Sequence, residues 1–288
     1  MKNAIVQTLT RPAIRPSIIM SISLAMFLFA ACESNSPSTQ QDISGPSSTA
    51  TTINKSAVSL DAALKQAVQT PVNLGLADGF AILSYAGITN TGQTSITGNL
   101  GASPITGAAL TGFETAALVG TFYTVDAAGP AGSVIFPSML TQAMLDLTAA
   151  YNDAAGRTST DMVILAGNLG GQTILPGLYK STGSLEISSG DLTLDAQGDA
   201  NAVWIFQIAS SFNMTSGRQV FLIGGAKASN IFWQVGSSAT FGTTAVMKGT
   251  ILAYASSTFA TGASLEGRAL ARTASVTLDA NAIVKPTL

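Results

Sequence analysis

The sequence predicts a mostly β protein, wound as a three-sided solenoid with one long α-helix along a flank. A strand-turn-strand pattern recurs weakly in segments 191–210, 211–237, 238–256, 257–275 and 276–286, which align on Thr193, Asn213, Thr240, Thr258 and Thr277. The steps from Thr240 to Thr258 and from Thr258 to Thr277 are 18 and 19 residues. That is one circuit of a three-sided solenoid and too short for a propeller blade. A second observation is the series of short β-type runs, punctuated by Gly and Thr, that begins at Val72, as expected where strands turn corners every few residues. The third is a lone helical stripe near 138–155, which needs an apolar sheet to lie on.

In chain order, residues 1–31 read as a lipoprotein-type signal peptide. Lys2, Arg11 and Arg15 precede an apolar run from Ile18 to Ala31, the length of a signal-peptide core and too short for a comfortable membrane span. The run ends on Phe29-Ala30-Ala31-Cys32, which resembles a bacterial lipobox with Phe29 where the pattern prefers Leu. Cys32, the only Cys of the chain, is then the lipidated first residue of the mature protein. The other reading is ordinary secretory cleavage near Ala31, leaving Cys32 a free thiol. Either route exports the protein without disulfides, to the cell envelope or surface as a lipoprotein, or else as a secreted protein. Loss of residues 1–31 removes three cations and no anions and takes the formal charge from −2 to −5. The expected membrane contact is therefore the lipid anchor alone, since a mildly acidic chain is not drawn to anionic lipid.

Residues 33–58 are rich in Ser, Thr, Pro and Gln with almost no large apolar side chains, so they cannot bury enough surface to offset ordering entropy. They read as a flexible tether. SLDAALKQAV (59–68) adds a short helix, with Ser59 as N-cap and Leu60, Ala63, Leu64 and Ala67 apolar, before Pro71. The tether region is thus 32–71 and the solenoid domain 72–288.

Within the domain, Ile96, Gly98 and Leu100 alternate with a period of two. Phe136-Pro137-Ser138 then leads into the helix, where Leu140, Ala143, Met144, Leu147, Ala150, Tyr151 and Ala154 recur at three and four before Gly156. In the coils, Ile205, Phe232, Ile251 and Ala269 are expected in one column and Phe206, Trp233 and Leu252 in the next. One column points into the solenoid; the other leaves a hydrophobic flank for the helix to cover.

Composition excludes several functions. Only 10% of residues are charged and there is no His, so the surface is covered by Thr, Ser, Ala and Gly and lacks the commonest general base and metal ligand. Lys and Arg are few and scattered, which argues against nucleic acid. Asp191, Asp195 and Asp199 recur at intervals of four and could suggest a Ca²⁺ loop, but their spacing does not match the helix-loop-helix template. Gly167, Gly170 and Gly171 lack the Lys and Ser/Thr of a phosphate loop. Arg218, Lys248, Arg268 and Arg272 with Glu186 or Glu266 form no catalytic motif. The reading is a non-enzyme without metal or cofactor. A file of Thr, stacked at about 4.8 Å per coil, suits a repeating surface better than one small molecule.

The stretch VNLGLADGFAILSYAGITNTGQTSITGNLGASP (72–104), TGF (111–113), the lone helix and residues 232–283 resemble the microbial ice-binding (antifreeze) proteins of bacteria, fungi and diatoms. GRALARTASVTLDAN (267–281) combined with ITGNLGASP makes the resemblance specific, and it spans 72–286. It implies a right-handed, discontinuous β-solenoid of three faces, with the helix along one of them and N-terminal strands completing coils begun by the C-terminal part. It also implies a monomer whose partner is the ice surface, bound through one flat face, with inhibition of ice growth and recrystallisation and a thermal hysteresis.

Thr carries a hydroxyl and a methyl on one side chain, so a rigid file of Thr holds water in place while shielding part of the surface. Charge disrupts such an array. The expected face comprises Thr193, Thr215, Thr240, Thr243, Thr258, Thr261 and Thr277, with Gly242 and Ala260 keeping it flat and Thr94 and Thr97 added from the N-terminal half. Thr is favoured in any exposed strand, so some of these residues are plain strand formers. Asp195 and Asp279, two places after Thr193 and Thr277, interrupt the pattern. A cell-surface adhesin or carbohydrate-binding solenoid is the alternative function.

Overall fold

The computed structural model describes residues 67–287. The expected signal segment, Cys32, the tether and all but the last two residues of the 59–68 helix lie outside the described residues.

The chain turns a corner every few residues, and every strand pairing is parallel. Phe80–Ser84, Ile88–Thr91 and Ser95–Thr97 form one circuit of a three-sided coil. One face runs in the order Val134–Ile135, Phe122–Thr124, Asn99–Ala102, Phe80–Ser84, Ser264–Ala271, Val246–Ala253, Ile231–Val235, Trp204–Ile208, Gly177–Ser181, Val163–Ile164. The first strand therefore stacks on a late one: Ile82 pairs with Ala269 and Leu83 with Leu270. The solenoid is discontinuous. Two N-terminal coils lie beyond the C-terminal ones, and the helix Pro137–Gly156 carries the chain from the edge strand Val134–Ile135 to the opposite edge at Val163–Ile164. At 1.5 Å per residue the helix spans about 30 Å, most of the stack.

Val246–Ala253 and Ser264–Ala271 cross a corner without a break, at Gly249 and Gly267. A Cβ on Gly267 would stand 1.9 Å from the Gly249 carbonyl oxygen, so only glycine permits coils to stack at this bend.

Alternation divides the apolar residues into two cores. Inside the solenoid Tyr179, Phe206, Trp233 and Phe212 stack ring on ring, with Phe206 and Trp233 centroids 4.0 Å apart. Outside lie Ile205, Phe232, Leu252 and Leu270, all buried against Leu140, Ala143, Leu147, Ala150 and Ala154 of the helix. The expected stripe is thus the docked face, with Met144 half-buried at its margin.

The columns differ from the sequence-based alignment in the later coils. Phe232 stands opposite Thr250, and Trp233 opposite Ile251, so Ile251 and Ala269 belong inside with Phe206 and Trp233. Thr250 and Arg268 occupy the outer column instead. An apolar repeat passes over such polar members, and a slip of one residue exchanges inside for outside.

Polar side chains complete the docking. The Gln207 amide donates to the carbonyls of Ala154 and Arg157 at 2.9 and 2.8 Å, closing the C-terminal end of the helix. Gln234 donates to the Tyr151 hydroxyl at 2.8 Å. Arg268, with its side chain 1% exposed, pairs with Asp78 at 2.5 Å and donates to the Asp78 carbonyl at 3.1 Å. Burial lowers its pKa while Asp78 opposes that shift.

Candidate functional site

Of the three faces, the first is covered by the helix. The third carries Thr173–Ile174, Leu192–Asp195, Val220–Ile223, the first halves of the two long strands, Ala282–Val284, Ser95–Thr97 and Ala117–Val119. Its outer surface mixes exposed Phe221 and Ile223 with the Lys248–Glu266 ion pair at 2.7 Å and exposed Val284 and Val119. The remaining face has the order Leu185–Ile187, Phe212–Met214, Ala239–Phe241, Ser257–Phe259, Val276–Asp279, Ile88–Thr91, Leu110–Thr111. The site is built here.

Along each strand of that face buried residues alternate with outward ones. Phe241 and Phe259 point inward, stacked at 4.6 Å, beneath Thr240 and Thr258. The outward file reads Glu186, Asn213, Thr240, Thr258, Thr277, Thr89, Thr111. Five consecutive threonines thus stand side by side at about the 4.8 Å strand spacing. Their hydroxyls have no partner among the described residues, so all five are available to an external surface. The aromatic stack below fixes the backbone that spaces them.

A serine row flanks the file at one corner: Ser184 and Ser211 hydroxyls are 2.9 Å apart, as are those of Ser238 and Ser256. At the other corner lie Thr215, Gly242, Ala260, Asp279 and Thr91. A Cβ on Gly242 would meet the Ser216 nitrogen at 2.5 Å, so this glycine is required by the close approach of the previous coil as well as leaving the surface low. Thr243 and Thr261 are exposed in the corner turns that follow the strands. The Thr215 hydroxyl leans back to the carbonyls of Ile187 and Ser188. Between Asn213 and Thr111 the only charged side chain on this face among the described residues is Asp279.

The structure brings together Thr215, Thr240, Gly242, Thr243, Thr258, Ala260, Thr261 and Thr277. Thr193 is the exception. It lies on the third face, paired with Thr173 and Phe221, and Asp195 is there too. The earlier coils are longer, 27 residues between Ser184 and Ser211 against 18 between Ser238 and Ser256. The slot next to Asn213 therefore falls to Glu186, and an alignment with shorter coils catches Thr193 instead. Thr94 is buried, donating to Asn90 and accepting from the Asn281 backbone, and Thr97 lies on the third face. The N-terminal contributors are Thr89 and Thr111. Their signal in the sequence is the alternation Ile88-Thr89-Asn90-Thr91 and the Thr that opens TGF.

The side chains weighed for catalysis or metal are engaged elsewhere. Arg218 faces Asp191 at 3.6 Å, and Arg272 lies over the rings of Tyr151 and Tyr254 at 5.2 and 5.3 Å. Asp195 and Asp199 accept from the backbone of Gln197 and Asn201, closing turns. Among the described residues no group of three His, Cys, Asp or Glu is placed to hold a metal ion.

A parallel solenoid with a file of five adjacent threonines, whose hydroxyls have no partner among the described residues, defines a class of protein suited to a repeating surface. Comparison with known proteins gives the family. A family model described as Ice-binding-like matches residues 82–284. The chain is 42% identical over 268 residues to an ice-binding protein of Flavobacterium frigoris (strain PS1), covering 93% of this chain and 89% of the relative. It is 44% identical over 218 residues to an ice-binding protein of a Colwellia species, covering 75% and 84%. Among solved structures, an ice binding protein from an Antarctic biological consortium matches with a TM-score of 0.72 and 53% identity, over 78% of this chain and 95% of that one. The protein belongs to the ice-binding family.

Proposed function

We propose that this protein binds ice through the file Thr240, Thr258, Thr277, Thr89 and Thr111, with Thr215, Gly242, Thr243, Ala260 and Thr261 along its corner. The observation that supports this reading is the set of five adjacent threonines whose hydroxyls lack a partner among the described residues on strands locked in parallel register. The hydroxyls hold a first layer of water at the strand spacing while the methyls exclude water from between them. Adsorbed molecules pin the ice front, which must then bulge between them, and the added curvature opposes further growth. The consequences are shaped crystals, a thermal hysteresis and slower recrystallisation, with no chemical step catalysed. The test is ice-crystal morphology and the gap between melting and freezing for purified residues 33–288. Unshaped crystals with no gap overturn the reading.

The protein works as a monomer outside the cytoplasm, held to the envelope through an acylated Cys32. The support is the basic and apolar N-terminal segment ending at the chain's only Cys. Cys32→Ala is expected to move the protein from the membrane fraction to the soluble one, because acyl chains contribute about 0.8 kcal/mol per buried CH₂. Retention in the membrane fraction overturns the anchor.

A further inference from the structure

Asp279 is the one charge on this face between Asn213 and Thr111 among the described residues, at the seam where the last C-terminal strand on that face, Val276–Asp279, meets the first N-terminal one, Ile88–Thr91. No covalent turn connects these two coils directly. Thr91 and Asp279 are 188 residues apart in sequence, yet the Thr91 hydroxyl lies 3.1 Å from the Asp279 carboxylate and 3.2 Å from the Leu278 carbonyl, and shares its proton between them. The other carboxylate oxygen accepts from the Thr261 hydroxyl of the neighbouring coil. Asp279 therefore spans three successive coils, and both of its oxygens are occupied by threonines of the corner row.

Beneath it a polar chain crosses the same seam. Asn281 donates to the carbonyls of Ala260 and Ala263 at 2.9 and 3.0 Å and accepts from the Asp279 backbone at 2.7 Å. The Asn281 backbone donates to Thr94 at 3.1 Å, Thr94 donates to Asn90, and Asn90 reaches the Gly112 carbonyl at 2.6 Å. The buried chain ties the backbones together, while Asp279 ties the surface hydroxyls.

We infer that Asp279 is a positioning residue of the ice-binding surface: its carboxylate clamps Thr91 and Thr261 and holds the N-terminal threonines in register with the C-terminal ones. This rests on the proposed function above. Without the clamp Thr261 regains rotamer freedom and Thr91 is left with the Leu278 carbonyl alone, at the middle of an array whose value is its regularity. The carboxylate's acceptor capacity is meanwhile turned sideways, toward its neighbours.

The test compares ice-growth inhibition by wild type, Asp279→Ala, Asp279→Asn and Thr91→Val at equal concentration, just below the melting point, with folding checked by circular dichroism. Asp279→Ala is expected to lose about threefold or more, the scale on which residues of one hydrogen-bond network couple. Asp279→Asn keeps one carbonyl acceptor and falls between. Thr91→Val lowers activity alone and adds less in the Asp279→Ala background, where only the bond to the Leu278 carbonyl is left to lose. If the Ala variant does not fold, the Asn and Val variants carry the comparison. Activity per folded molecule equal to that of an active wild type, even with a lowered melting temperature, overturns the inference and leaves Asp279 merely structural. Greater activity in the Ala variant also overturns it and marks Asp279 as an intruding charge. A wild type that leaves ice unshaped fails at the earlier step, the proposed function itself.

Discussion

Thr277 and Thr89 stand side by side in register on the exposed face of the solenoid, one from the last C-terminal strand of that face and the other from the first N-terminal strand. The threonine file is therefore continuous only because the two ends of the domain pack against each other. Thr89 has Thr111 on its far side, and Thr277 has Thr258.

This arrangement makes a paired prediction. Thr89→Tyr is expected to abolish or sharply reduce ice-growth inhibition, since a bulky ring in mid-file breaks the array. Thr193→Tyr, on the third face beside Phe221, is expected to be nearly silent. Ice-growth assays on both proteins check it, and the reverse order of effects places the binding surface on the third face.

Thr258→Tyr is expected to remove activity while leaving the fold intact. The side chain points outward and its hydroxyl makes no bond to the described residues, and surface substitutions usually shift stability by within about 0.5 kcal/mol. Lys248→Ala is the control. Its ion pair with Glu266 is partly exposed and lies on another face, and such pairs contribute about 0–1 kcal/mol. Melting curves and ice morphology read both effects.

Leu147 is fully buried between the helix and the covered face. Leu147→Asp places an unpaired charge there and is expected to destabilise the domain by about 3 kcal/mol or more, seen as a fall in melting temperature. An unchanged melting temperature contradicts the docking.

Arg268→Ala removes a buried guanidinium that spans Asp78 and Thr250. Asp78 keeps a partly exposed side chain and regains some water, so the expected cost is about 2–4 kcal/mol, toward the lower part of the range for breaking a buried pair. Chemical denaturation measures it. The variant should lose stability in the Gly75–Gly79 turn and the coil beneath it before the distant coils near Gly177.

Gly267→Ala is expected to cost about 3 kcal/mol, because its Cβ would overlap the Gly249 carbonyl and neither backbone can move without opening the coil stack. Thermal melting checks the effect, and a stable Ala variant means the bend is less tightly stacked than the structure has it.

Much of this protein was legible in its sequence because the signals are local. The helix stripe from Leu140 to Ala154 reports a single amphipathic face, and it docks as that stripe requires. Thr240-Phe241-Gly242 and Thr258-Phe259-Ala260 alternate outward and inward within one strand each, and their common spacing of 18 residues gives the coil directly. The inner positions of these strands, Phe241 and Phe259, follow from the same alternation.

Three things were decided only by the tertiary structure. Thr193 and Glu186 exchanged places because a coil of 27 residues and one of 18 contribute one strand each to this face, and periodicity cannot say where the extra residues loop out. Ile251 and Ala269 turned inward because Thr250 and Arg268 take the outer positions, a one-residue register that strand pairing sets. Thr89 and Thr111 joined the file, and Asp279 found Thr91, across 188 residues of sequence. Local sequence sets which side chains in a strand share a face, through the two-residue repeat of the backbone. Which strands become neighbours depends on the packing of distant coils, and that is where the five-threonine surface is made.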